Sequence, residues 1–192
     1  MSDSFIIGMA GPKGSGKDAV FVAAQKLGLF PGAKRFAFAD KMREAALALD
    51  PIITVDESGF IRLSHLIDKF GWDYVKNHYP EARRTLQRLG TEAGRDILGP
   101  DVWVDSLMRD MGTGCAFIND VRFLNEAMAT RQRGGVIIEV RRNGFEYSAE
   151  HASEAGLPRD ILDASIYNNG DIDETVENLC DVLAVHGMSI HP

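Results

Sequence analysis

A three-layer α/β fold, with a mostly parallel central sheet and helices on both faces, is predicted by three observations. Short apolar runs alternate with segments of helical apolar spacing along most of the chain, and the polar motifs fall where the apolar runs end. The 192 residues suffice for one well-buried core and are too few for two ordinary domains. Strands alternating with helices imply crossover connections, a sheet covered on both sides, and ligands at the carboxyl ends of the strands. One domain over 1–192 is therefore expected, with a core from 5–50 and 113–192 and an intervening region, 51–112, that breaks the alternation.

Phe5 to Ala10 is the first apolar run, read as a strand. Gly11-Pro12-Lys13-Gly14-Ser15-Gly16-Lys17 follows, and Asp18 to Leu27 then has helical spacing. A second strand is expected at Lys34 to Ala39, with Asp40 capping a helix from Lys41 to Leu49. Ile52 to Val55 and Phe60 to Leu63 flank Asp56-Glu57-Ser58-Gly59, the pattern of an inserted hairpin. Ser64 to Met111 reads as mostly helical, with interruptions near Pro80, Gly90 and Gly99-Pro100. A buried strand at Cys115 to Ile118 precedes a helix at Arg122 to Arg133, which Gly134-Gly135 stops before a strand at Val136 to Val140. The remainder reads as a loop from Arg141 to about Pro158, a short strand at Ser165 to Tyr167, and a helix from Ile172 to Val185 with an acidic first turn.

Composition narrows the function. The formal charge is −7, and the basic residues are interspersed with acids rather than gathered into a stripe, which argues against a dedicated nucleic-acid binder. Cys115 and Cys180 show no metal-ligand spacing and read as free thiols in a reducing compartment. The first residues lack a basic segment followed by an apolar core, and no run approaches the ~18 apolar residues of a membrane span, so a cytoplasmic protein without membrane attachment is expected.

The glycine-rich segment fits GxxxxGK in the context that gives the pattern meaning, between a strand and a helix. Its glycines let successive N–H groups turn inward, the helix N-terminus favours anions, and Lys17 can reach β- and γ-phosphates. Asp18 stands where a magnesium-binding Ser or Thr usually does; it reads either as a carboxylate ligand or as a first-turn acid. Asp120, at the end of an apolar strand, is placed like an acid that holds magnesium through water, or else caps a helix beside a surface base, Arg122. Phosphoryl transfer needs cations around the transferring group, and Arg122, Arg141, Arg142, Arg83, Arg84, Arg88 and Arg95 supply them. On a helix, Arg84 and Arg88 share a face, as do Arg88 and Arg95; a phosphate clamp and a solvated basic face both fit. No NKxD-type guanine-reading sequence is visible, which weakens a GTPase reading.

These residues resemble the bacteriophage-type deoxynucleoside monophosphate kinases, with weaker similarity to dephospho-coenzyme A kinases and animal phosphomevalonate kinases of the same P-loop fold. The resemblance rests on Gly11 to Asp18, Phe38-Ala39-Asp40 with Lys41 and Arg43, and Leu86 to Glu92 with Gly94-Arg95. It continues through Asp101 to Val104, Asp120-Val121-Arg122-Phe123-Leu124-Asn125-Glu126, and His151 to Glu154. It implies a P-loop NTPase fold with a helical acceptor-binding region and a small lid at 141–158, and ATP-dependent phosphorylation of a deoxynucleoside monophosphate with Mg²⁺. Gly11, Lys13, Gly14, Ser15, Gly16, Lys17, Asp18 and the stretch around Asn168 would bind ATP. Asp40, Arg43, Arg88, Thr91, Glu92, Arg95, Trp103, Asp120, Arg122 and Glu154 would serve the acceptor. Lys17, Arg122, Arg141 and Arg142 would neutralise the transferring group, with Asp18 and Asp120 toward the metal.

Other readings stay open for several of these residues. Thr91-Glu92 and Asn169-Gly170 also read as turns, Trp103 as a core anchor, and His151 as a solvated loop residue. A homodimer is implied at the family level alone, and the host cytoplasm would be the compartment if the gene is viral. Other functions for such a chain are a kinase of another small acceptor such as dephospho-coenzyme A, or a nucleotide-binding switch. A DNA-dependent ATPase is disfavoured by the acidic charge.

Overall fold

In the computed structural model, residues 5–57, 59–148 and 154–188 are described. They fall into two compact units, one of 1–38 with 107–192 and the other of 39–106.

The first unit holds a five-stranded sheet in the order β2-β5-β1-β6-β7, from Lys34–Phe36, Ala116–Ile118, Ile6–Ala10, Val136–Arg141 and Ala164–Tyr167. Every neighbouring pair is parallel, with Ile7 opposite Phe117 on one side of β1 and Val136 on the other. β1, β5 and most of β6 are buried residue after residue, the signature of strands covered on both faces. The alternation of side chains explains how. Ile7, Met9, Phe117, Ile138 and Val140 join one cluster with Val20, Phe21 and Ala24 of α1 (Lys17–Lys26) and Val176, Leu179 and Leu183 of α7 (Ile172–Val185). The intervening Gly8 and Ile137 face Thr130 of α6 (Leu124–Gln132). Phe117 is fully buried and meets the rings of Phe5, Phe21 and Phe30 with centroids 5.0–6.5 Å away. The fold is thus the three-layer α/β arrangement expected. The connection after β1 runs toward β2 and the one after β5 runs the other way to β6, so the topological switch point lies at the carboxyl ends of these two neighbouring strands.

The second unit contains most of α2 (Phe38–Leu49), then β3 (Ile52–Asp56) and β4 (Gly59–Arg62) as an antiparallel hairpin, α3 (Leu63–His78), α4 (Pro80–Gln87) and the start of α5 (Val102–Met111). Ala46, Ile53, Leu63, Leu66, Val75, Ala82 and Leu86 form its core. The hairpin falls where its turn residues place it, although Ser58 lies outside the described residues.

Two expectations are corrected. The helix expected from Lys41 starts at Phe38, so Asp40 sits in its first turn instead of capping it; the Phe38 amide donates to Asp120 Oδ1 at 2.7 Å. No break occurs at Gly90: Arg88–Leu98 winds as a π-helix, whose i→i+5 pairing widens the turn, so the seven-residue spacing of Arg88 and Arg95 no longer closes two turns. The kink that does occur was not expected; it lies in α3 at Gly71, whose φ is 76°.

Candidate active site

Gly11 to Lys17 connects the buried end of β1 to the first turn of α1, as the spacing requires. Within the loop, Ser15 N donates to Pro12 O at 3.2 Å. Lys17 is 9% exposed, and its Nζ is folded onto its own loop, donating to Gly11 O at 2.7 Å and Pro12 O at 2.8 Å. Burial, and next the charge of Arg122, lower its pKa from 10.5 to about 8, while Asp18 and Asp120 act in the opposite sense. Arg122, Asp18 and Asp120, which sequence reasoning placed with Lys17 around the phosphates and metal, are therefore all near enough to act on its charge. A pocket in front of the loop is lined by Gly11, Pro12, Lys13, Arg122, Tyr147 and Glu154.

Two glycines of the loop are fixed by neighbours. Gly16 has φ 98°, and a Cβ there would lie 2.1 Å from Asn168 Nδ2. That amide donates to Ser15 O at 2.9 Å. The residue expected beside ATP thus braces the phosphate loop through its side chain. At Gly14, with φ 85°, a Cβ would lie 2.4 Å from the ring of Phe145. Arg142 stands over that ring at 5.2 Å, and the Asn143 amide donates to Asn169 Oδ1 at 2.7 Å. The start of the 141–158 segment is in this way tied both to the loop and to the turn after β7. His151 lies outside the described residues.

Asp18 Oδ1 accepts from Asn119 Nδ2 at 2.8 Å and Arg35 Nε at 2.9 Å. Burial works to raise its pKa, but these two hydrogen bonds and the charges of Arg35 and Lys17 outweigh it, so the carboxyl titrates below its ordinary range. Arg122 is held differently. Glu126, 2% exposed, accepts from the Arg122 amide at 2.8 Å and the Phe123 amide at 3.1 Å, which fixes the turn after β5.

Arg141 and Arg142 part company. Arg141 grips Glu139 with Nε to Oε2 at 2.7 Å and Nη2 to Oε1 at 3.3 Å. Glu139 is 2% exposed and also accepts from Tyr147 Oη and Ser165 Oγ, each at 2.8 Å. Burial opposes its ionisation, yet the bonds from Arg141, Ser165 and Tyr147 hold its pKa below the ordinary 4.5. Burial first, and the bond to Glu139 next, push the Tyr147 phenol upward.

In the second unit, Arg43 Nη1 donates to Asp40 Oδ1 at 2.9 Å and the guanidinium lies over Trp72, 5.7 Å from the ring centroid. Arg88 pairs with Glu92 at 3.3 Å on an exposed face. Trp103 is a core anchor: its buried indole Nε1 donates to Gly90 O at 2.9 Å, and Arg95 Nη1 donates to the same carbonyl at 3.2 Å. Thr91 is half-buried beside them.

Asn119, Glu139, Tyr147, Phe145 and Trp72 were not singled out from sequence. The signal available for Glu139 was an acid inside an otherwise apolar strand run; for Asn119 it was an amide directly before the strand-end acid.

The model of the deoxynucleotide monophosphate kinase family matches residues 73–179. A deoxynucleotide monophosphate kinase of Escherichia phage RB69 is 30% identical over 107 residues, covering 53% of this chain and 44% of the phage protein. The chain therefore spans less than half the length of that relative. A protein of Acanthamoeba polyphaga mimivirus, provisionally named for the same activity, is 30% identical over 186 residues, covering 88% of this chain and 91% of its own. Among solved structures, the shikimate kinase of Aquifex aeolicus vf5 matches with a TM-score of 0.45 at 12% identity, over 95% of this chain and 98% of that one. The family match takes in Arg88, Arg95, Asp120, Arg122 and Asn168, and the phosphate loop lies N-terminal to it. Since the match covers more than half of the sequence and the mimivirus likeness runs nearly end to end, the chain belongs to the deoxynucleotide monophosphate kinase family.

Proposed function

We propose that the protein transfers the γ-phosphoryl group of ATP to a deoxynucleoside monophosphate, giving ADP and the diphosphate. The observation that carries this reading is the buried Lys17 at the strand–loop–helix junction, with Arg122, Asp18 and Asp120 all acting on its charge. Two cations and two acids in one place suit a triphosphate and its counter-ion.

The loop amides of Gly11, Lys13, Gly14, Ser15, Gly16 and Lys17 cradle the phosphates of ATP, aided by the N-terminus of α1. The Lys17 ammonium exchanges loop carbonyls for β- and γ-oxygens, and Arg122 and Arg142 oppose the charge on the transferring group. Arg141 supports from behind, committed to Glu139. The roles of the second unit concern the acceptor: Asp40, Arg43, Arg88, Thr91, Glu92 and Arg95 hold it, and Trp103 holds the π-helix that carries four of them. Asp120 and Glu154 are assigned to the acceptor as well. No general base is required, because a monophosphate is already largely ionised near neutral pH and supplies its own nucleophilic oxygen. Keeping water from the phosphoryl group falls to the 141–158 segment.

Among the described residues no group of three or more His, Cys, Asp or Glu could hold a metal. Magnesium needs none, since it binds through one or two carboxylates and substrate phosphates and keeps several waters. Asp18 and Asp120 fit that pattern, and Asp18 is held ionised. When bound, the ion would supply charge neutralisation for the phosphoryl group in transfer. No helix among the described residues is long and apolar enough to cross a membrane.

The test is to incubate the purified protein with MgATP and, separately, each common deoxynucleoside and ribonucleoside monophosphate and dephospho-coenzyme A, following ADP and weighing the product by mass spectrometry. A deoxynucleoside diphosphate that disappears in Lys17→Ala is the expected result. ATP binding without phosphorylation of any monophosphate would overturn the proposal.

A further inference from the structure

Asn119 is 2% exposed, directly after β5 and directly before Asp120. Its Nδ2 donates to Asp18 Oδ1 at 2.8 Å. The other arm of the amide, Oδ1, is buried and accepts no hydrogen bond among the described residues. The assignment of the two arms follows from the chemistry, because an ionised carboxylate only accepts and must be met by the NH₂ side. A buried carbonyl oxygen without a donor is uncommon in a folded protein and points to something that is hydrogen-bonded there in use.

The neighbour it holds sharpens the meaning. Asp18 takes the position where the phosphate-loop pattern usually ends in a hydroxyl. A hydroxyl on a short side chain has few orientations, whereas a carboxylate on the same helix turn can swing and must be oriented from outside. Arg35 also reaches Asp18 Oδ1, but that pair is surface-exposed, with side chains 38% and 67% accessible, and holds geometry weakly. Asn119 is buried and fixed by its strand, with its amide N donating to Phe36 O at 3.0 Å. Both donors meet the carboxylate on one oxygen, so the orientation of the other is set.

We propose that Asn119 is the positioning residue for the metal of this site. Its Nδ2 holds the Asp18 carboxylate through Oδ1 and so leaves Oδ2 to the ion. This rests on the reading of Asp18 as a magnesium carboxylate, and extends it to a residue assigned to neither ATP nor the acceptor. Groups that orient a metal's carboxylate typically change metal affinity 10- to 100-fold.

The experiment uses the full chain with ADP and Mn²⁺, reading free Mn²⁺ by electron paramagnetic resonance, alongside the affinity for metal-free ATP in chelator. Asn119→Leu is expected to raise the Mn²⁺ dissociation constant of the ADP complex by about 10- to 100-fold while metal-free ATP binds within about twofold of wild type. In the kinase assay the same variant should regain most of its kcat at high magnesium. Asn119→Ser, which keeps the site small and polar, stands in if the leucine variant does not fold, with the same outcome expected. Unchanged Mn²⁺ affinity in both variants, with a large loss in Asp18→Asn, would overturn the role of Asn119 and leave the reading of Asp18 standing. Unchanged affinity in Asp18→Asn as well would remove that reading, and the proposal with it.

Discussion

The side chain of Asn168 donates from Nδ2 to the carbonyl of Ser15 at 2.9 Å, joining the turn after β7 to the middle of the phosphate loop across 153 positions of sequence. Its Oδ1 lies 3.4 Å from Thr175 Oγ1, so the amide is held from the side of α7. Truncating it leaves a buried carbonyl without a donor, at a cost of about 1–3 kcal/mol. Asn168→Ala is therefore expected to weaken ATP binding by roughly tenfold with little change in the KM of the acceptor. Gly16→Ala should be worse, since its Cβ meets Nδ2 at 2.1 Å and φ is 98°. Calorimetric titration with ATP checks both; wild-type affinity in Asn168→Ala would refute the brace.

Adjacent arginines should give different phenotypes. Arg141→Ala removes the cation from a carboxylate that is 2% exposed and is expected to lower stability by about 1–3 kcal/mol. Arg142→Ala, whose side chain is exposed over Phe145, should stay within about 0.5 kcal/mol of wild type and lose kcat instead. The contribution of Glu139 has a defined pH sense. Its folded pKa lies below 4.5, so the stabilisation is whole above that value and fades as pH falls through the lower folded-state pKa. Chemical denaturation at pH 7 and well below pH 4.5, set beside steady-state kinetics, separates the two residues; equal loss of kcat at equal stability would contradict this division.

Nucleotide binding should take up a proton in mild alkali. Lys17 has a pKa of about 8 before phosphates surround it, and phosphates favour the ammonium, so its pKa rises on binding. The bound state then holds more protons, and affinity for ATP is flat below about pH 8 and falls above it. Near pH 8 the uptake should be about half a proton per ATP, visible as a dependence of the binding enthalpy on buffer ionisation. Arg122→Ala removes a neighbour that lowers the Lys17 pKa, and should move the alkaline limb to higher pH. A pH profile unmoved by that substitution would show that the two cations do not interact.

Trp103 should act on the acceptor only through the π-helix. Trp103→Phe keeps most of the ring and loses the hydrogen bond to Gly90 O, and is expected to cost about 1–2 kcal/mol, while Trp103→Ala should cost about 3–5 kcal/mol. Urea unfolding followed by circular dichroism gives these values. The KM for the monophosphate should rise in Trp103→Phe with that for ATP unmoved, and the reverse pattern would contradict the placement.

What could be read from the chain without coordinates follows distance along it. Strand, loop and helix from Ile6 to Lys26 are local, and so are the hairpin around Asp56 and the last helix, which runs from Ile172 to Val185 as its acidic first turn and apolar period indicate. The start of α2 is not local: Phe38 becomes its first residue because Asp120, 82 positions away, accepts the Phe38 amide. The π-helix depends on Gly90 and Gly94 giving room to Met42 and Trp103, contacts that no periodicity contains. The role of Glu139 could not be read from its strand because its partners stand two, eight and 26 positions on. Glu126 escaped the usual helix-start pattern because Phe123, three residues earlier, has no side-chain oxygen to complete it.

The stacking of Arg43 on Trp72 and the burial of Trp103 against Gly90 have an optical consequence. These two indoles are the only tryptophans in the sequence, and both belong to 39–106. Intrinsic indole emission is thus a built-in, label-free reporter of the unit assigned to the acceptor, in which one fluorophore is shielded and the other sits under a cation that a bound phosphate would draw away. The phosphate loop itself carries no such fluorophore, so a change in this emission reports on 39–106 alone.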